Sequence, residues 1–129
     1  MYKKFIATGA IIAALAVVLG AFAAHTLKTK LTAEVLSVFE TGVRYQMYHA
    51  FAIIITGMLY KEYSNKNILL AGRFFIWGII LFSGSLYLLT FIKAIDATNF
   101  LWLGAITPLG GLFFIGGWGL LCFNLAKNQ

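Results

Sequence analysis

Cysteine, proline and acid are close to absent from this chain: 129 residues hold one cysteine, one proline and four acidic side chains. A single cysteine, Cys122, excludes an intramolecular disulfide and a thiolate metal cluster. It lies in an apolar stretch, where cysteine acts as a small hydrophobe. The acids Glu34, Glu40, Glu62 and Asp96 belong to segment ends or loops, so paired-carboxylate chemistry has no seat and no catalytic residue is expected. Charge of either sign is scarce, with 11% charged against 61% hydrophobic residues, far from the composition of a water-soluble domain.

What fills the chain instead is a series of long apolar runs with little or no charge, giving a mean hydropathy of +0.89. A helix of roughly 20 apolar residues spans the roughly 30 Å hydrocarbon layer of a bilayer. Four such runs, at about 5–24, 43–60, 68–92 and 100–123, predict an all-α integral membrane four-helix bundle running up-down-up-down. All 129 residues then form one transmembrane domain. The first run imitates a signal peptide with its Ala-Phe-Ala ending, but it is longer than a signal core and is expected to be a retained span.

Between spans one and two, a polar hinge at 25–30 precedes Leu31, Val35, Val38, Phe39 and Val43, which recur at helical spacing. They predict a short amphipathic helix with Thr32 as N-cap and Gly42 as the bend into span two. Pro108, early in span four, predicts a kink.

The formal charge of +6 is spread along the flanks of the apolar runs. Anionic lipid headgroups therefore suit it better than nucleic acid. Six basic residues (Lys3, Lys4, Lys61, Lys66, Arg73, Lys127) fall with the termini and four (Lys28, Lys30, Arg44, Lys93) opposite, so the tally favours cytoplasmic termini. Arg44 and Arg73 are expected to snorkel to headgroups, with Tyr2, Tyr60, Tyr63 and Trp102 in interfacial belts. Trp77 and Trp118 are expected to be packing or lipid contacts.

Counting depth from the span ends brings polar side chains of all four helices toward the outer third of the bundle. His25 closes span one. His49 lies about 9 Å into span two, with Gln46 one turn above it, so that Gly42, Gln46, His49 and Thr56 form a stripe. Ser83, Ser85 and Tyr87 belong to span three, with Ser83, Tyr87 and Thr90 on one face, and Thr107 to span four. The seven residues His25, Gln46, His49, Ser83, Ser85, Tyr87 and Thr107 are the candidate binding cluster. The competing structural explanation is that polar groups and small residues hold membrane helices together, as Gly20 with Ala24 and Thr107 with Gly111 do in small-xxx-small pairs. Two histidines without matching cysteine or carboxylate are a weak haem or metal signal, so no cofactor or metal is expected.

The motifs Gly20-Ala-Phe-Ala-Ala-His25, Thr41-Gly-Val-Arg-Tyr-Gln-Met-Tyr-His49, Phe82-Ser-Gly-Ser-Leu-Tyr87, Thr107-Pro-Leu-Gly-Gly111 and Gly117-Trp118 occur in order. Their order and spacing resemble the YwdK/YgdD family of small bacterial membrane proteins, over nearly the whole chain. Ala23 stands where that family commonly has glycine. The resemblance implies a four-span plasma-membrane protein and supplies no activity. The residues point to a non-enzymatic structural, binding or interaction module, with homo-oligomerisation through glycine-lined faces and an unidentified small-molecule ligand as its open partners. The alternative is a small transporter or channel passing protons or a small polar solute by His49 and Gln46.

Overall fold

The computed structural model describes residues 1–96 and 98–127, with backbone alone for 98, 100 and 101. Ala97, inside the turn expected after the third run, lies outside the described residues, as do Asn128 and Gln129. The all-α expectation is met: among the described residues every regular element is helical.

The first rod, α1 (Lys3–Lys30), is α-helical to Phe22, passes through a π-turn at Ala23–Leu27 and closes with Lys28–Lys30. The hinge expected at 25–30 is therefore helical. No glycine or proline interrupts this stretch, and Thr29 Oγ1 donates to the Thr26 carbonyl at 2.8 Å within it. The chain turns only at Leu31, whose φ of −111° and ψ of 154° are extended.

Thr32 then caps α2 (Ala33–Leu59), its Oγ1 accepting from Val35 N–H at 3.3 Å. This helix runs 27 residues without interruption. The separate amphipathic helix is thus corrected to the first turns of α2, and Gly42 is not a bend. Its missing side chain serves contact instead, because a Cβ there would stand 2.8 Å from Tyr87 Cε1.

Asn65 caps α3 (Lys66–Ala94) by accepting from Asn67 N–H at 2.8 Å, and a π-turn at Ile79–Ser83 divides that rod. Asp96, at φ 52°, occupies the left-handed region that aspartate tolerates. A 3-10 stretch, Thr98–Ala105, leads into α4 (Ile106–Lys127). The α-helix thus starts later than the expected residue 100, at Ile106, and Pro108 falls in its first turn, where proline is tolerated, directly after the 3-10 stretch.

Neighbours in sequence pack as neighbours in space, with alternating directions. Tyr2 N–H donates to the Gly57 carbonyl at 2.8 Å, while Gly20 faces Val43 at the other end of the same α1–α2 pair. Asn65, preceding α3, meets Asn124 near the end of α4, and Gly110 near the start of α4 meets Phe82 in the second half of α3. Phe75, Ile53 and Ile68 are the largest wholly buried hydrophobic side chains, joined in one core by Phe5, Ala71, Phe114 and Leu121 from all four helices.

Beside this apolar core the bundle buries several polar side chains and exposes many large apolar ones. Gln46, His49, Thr56, Ser83, Ser85, Thr90 and Asn124 are buried, while Ile11, Val17, Phe51, Trp77, Phe91, Leu112, Ile115 and Phe123 are exposed. Water-soluble monomers do not expose contiguous apolar surface on this scale. Helix α1, helix α3 and the stretch Trp102–Lys127 are long and apolar enough to cross a membrane. Helix α2 carries the polar inner stripe; Glu34, Ser37, Glu40 and Arg44 are exposed on its first turns, and from Tyr45 onward its exposed side chains, such as Tyr48, Phe51, Ile55 and Met58, are aromatic or apolar.

Candidate functional site

The polar residues named from sequence resolve into three contact groups, and one of the seven stands apart. The first group joins α1, α2 and α3. Tyr87 Oη donates to Gln46 Oε1 at 2.6 Å, and Gln46 Nε2 donates to the Ile12 carbonyl of α1 at 3.0 Å. These partners orient the amide, since a phenol that donates requires the oxygen and a carbonyl requires the nitrogen. Four residues from Gln46 on the same helix, the Gly42 carbonyl accepts from Ser83 Oγ at 2.7 Å. Ser83 and Tyr87 share the face of α3 that meets α2, as one helical turn of spacing dictates. Gly42 lets the Tyr87 ring lie flat enough on α2 for its hydroxyl to reach the next turn.

The second group is centred on His49, which is only 4% exposed. Its Nδ1 lies 2.8 Å from the Tyr45 carbonyl, and its Nε2 lies 3.2 Å from Trp118 Nε1. A carbonyl only accepts and an indole N–H only donates, so these two partners select a neutral ring with its proton on Nδ1. Phe114 stacks on that ring at 3.5 Å between centroids and 7° between planes. The imidazole is thus inserted between α2 and α4 as a planar, hydrogen-bonded wedge.

The third group pairs α3 with α4. Ser85 Oγ donates to the Phe82 carbonyl at 2.9 Å and lies 2.6 Å from Thr107 Oγ1. With one hydroxyl proton each, both bonds form only when Thr107 donates to Ser85.

A single level shared by all seven residues is therefore not what the helices build. His49 rests on Phe114 and Trp118, seven and eleven residues beyond Thr107 along α4. At helical rise that is about 10 to 16 Å from the Ser85–Thr107 pair. His25 is exposed on the π-turn of α1, and no hydrogen bond or ring contact ties it to the others among the described residues. Depth counting places a residue at a height and leaves its face open; here Ala23 takes the buried face and His25 the outer one. Two histidines facing one another for a haem or metal are accordingly not assembled. Arg44 is exposed and donates to Thr41 Oγ1 of its own helix at 3.2 Å, away from His49. Thr56 and Thr90 close on carbonyls of their own helices, those of Ala52 and Leu86.

Two polar contacts went unread in the sequence. Trp118, placed there among packing residues, is the donor to His49 while leaving 47% of its surface exposed. The signal was available, because an indole N–H in a dry bundle needs an acceptor and His49 is one of few. Asn124, 2% exposed, accepts from Asn65 Nδ2 at 2.7 Å and ties α4 to the cap of α3. Its position one residue past the expected end of span four concealed it.

Apolar outer surfaces around hydrogen-bonded polar interiors define a small helical membrane protein. A family model described as a protein of unknown function (DUF423) matches residues 19–111, and the chain belongs to that family. The UPF0382 membrane protein YwdK of Bacillus subtilis is 47% identical over 126 residues, covering 97% of this chain and 98% of its own. A UPF0382 membrane protein of Staphylococcus haemolyticus is 42% identical over 125 residues, 97% of each chain. That of Haemophilus influenzae is 38% identical over 130 residues, covering all of this chain and 98% of its own. No solved structure matches the chain.

Proposed function

We propose that this chain is a multi-pass module of the bacterial plasma membrane that crosses the bilayer four times with cytoplasmic termini and acts without catalysis. In this reading its polar side chains hold the helices in register and shape a surface for a ligand or partner. The observation that carries it is saturation: both ends of the Gln46 amide and both His49 nitrogens are engaged by neighbouring protein groups. Three of these four contacts join different helices and act as interhelical glue, each contributing about 0.6 kcal/mol on average in membrane bundles. In this reading the second half of helix α2 crosses with the others, supported by a polar stripe that faces its neighbours and an exposed surface that is aromatic or apolar from Tyr45 onward. The surface it helps to shape is an apolar slot of ≈ 240 Å³ between Phe22, Leu27, Phe39, Tyr87, Thr90 and Phe91, beside the Tyr87–Gln46 bond.

The test is thermal unfolding of the purified protein in detergent, run beside proton and solute flux in proteoliposomes, for wild type and Gln46→Ala. A marked loss of stability with no flux from either protein is the expected result. Flux from wild type, abolished in a Gln46→Ala variant of unchanged melting temperature, identifies a transporter instead.

A further inference from the structure

At the end of the bundle where α1 begins and α4 ends, Lys66, Asn67, Leu69, Leu70 and Arg73 of α3 line a groove of ≈ 370 Å³ with largely apolar walls. Arg73 is exposed and stands two turns, about 10 Å, along α3 from Lys66. The surface next to it is hydrocarbon, since Leu70 and Trp77, one turn to either side, are also exposed. Among the described residues Arg73 has no hydrogen bond or ion pair, and none of Glu34, Glu40, Glu62 and Asp96 answers it. A guanidinium on an apolar outer surface near a span end, without a protein counter-charge, favours an anion from the headgroup region beside it.

We propose that this groove seats one anionic glycerophospholipid. The phosphate lies between the Arg73 guanidinium and the Lys66 ammonium, the glycerol backbone rests on Leu69 and Leu70, and an acyl chain runs on past Arg73 toward Trp77. Guanidinium suits phosphate because its planar fork gives two parallel N–H donors, while the ammonium supplies a compact charge. Two cations facing one phosphate leave positive charge in excess, so a headgroup with a cation of its own is disfavoured. A soluble phosphate has nothing to place on the leucine walls. This inference rests on the membrane reading above.

The probes are phosphatidylglycerol and phosphatidylcholine, offered in equal amounts to the detergent-purified full chain, with bound lipid read by native mass spectrometry. Phosphatidylglycerol is expected to be retained preferentially. Arg73→Gln and Lys66→Gln should each weaken it roughly tenfold, the scale of one charged hydrogen bond. The double variant Lys3→Gln/Lys4→Gln removes two charges from the same end outside the groove and should leave retention unchanged. Equal retention of both lipids, or an equal loss in the Lys3/Lys4 variant, overturns the site. Displacement by inorganic phosphate or glycerol 3-phosphate overturns the lipid assignment. Extraction of membranes with alkali separates the two levels of the claim: wild type that remains embedded yet shows no lipid preference removes this inference alone, whereas wild type released by alkali removes the membrane reading as well.

Discussion

The phenol of Tyr87 reaches across the α2–α3 crossing to the side-chain oxygen of Gln46, 2.6 Å away, while its ring lies over Gly42 one turn earlier on α2. One residue thus supplies both the steric and the polar half of the contact. A double-mutant cycle of Tyr87→Phe and Gln46→Leu should return a coupling of about 0.6 to 1.7 kcal/mol, the range of interhelical bonds in membrane bundles. Denaturant titration in detergent measures it, and additivity of the two single effects would show the bond to be energetically idle.

Adjacent glycines of α4 give a sharper contrast. A Cβ on Gly110 would stand 2.3 Å from the backbone nitrogen of Phe82, whereas one on Gly111 meets nothing within 4 Å. Gly110→Ala should lower stability by about 1 to 3 kcal/mol or more through overpacking against backbone. Gly111→Ala should raise it by roughly 0.5 to 1 kcal/mol through helix propensity. Melting temperatures of the two variants, measured side by side, should therefore move in opposite directions.

His49 fills the space between Phe114 and Phe75 as well as bonding Trp118. His49→Ala combines a cavity with an orphaned indole, and a loss of about 2 to 4 kcal/mol is expected. His49→Phe restores the volume and should recover part of that loss. Because Trp118 loses its acceptor in both variants, its fluorescence should change in both, and unchanged emission would separate Trp118 from His49.

The Asn65–Asn124 bond ties the cap of α3 to the last turns of α4. Asn124→Leu leaves Asn65 its capping contact to Asn67 N–H but removes its partner across the interface. Amide exchange should rise first in the last turns of α4, at a cost of about 1 kcal/mol, while α1 and α2 stay protected.

Composition and run length were enough to find the helices, because uncharged runs of this length have few other uses. The identities of Gln46, Ser83, Tyr87 and Thr107 were legible for the same reason: polar residues stand out against an apolar background. Facing was not. Helices α1 and α4 are apolar on nearly all sides, so periodicity carries no face signal, and height alone groups His25 with the others. The π-turns at Ala23–Leu27 and Ile79–Ser83 add to this, because one extra residue turns everything after it by about 100°. Gly42 shows a second limit. Sequence marks a glycine as a place of freedom, and only the opposing Tyr87 ring reveals that it is a place of contact.

Alternating helix direction across a bilayer is what the proposed membrane module and its lipid groove depend on. Cysteine labelling with a membrane-impermeant maleimide, in a Cys122→Ser background, tests it most directly. Lys28→Cys, at the α1–α2 turn, is predicted to react on intact cells, and Ser64→Cys, at the α2–α3 turn, only after permeabilisation. Labelling of both positions from outside would contradict it.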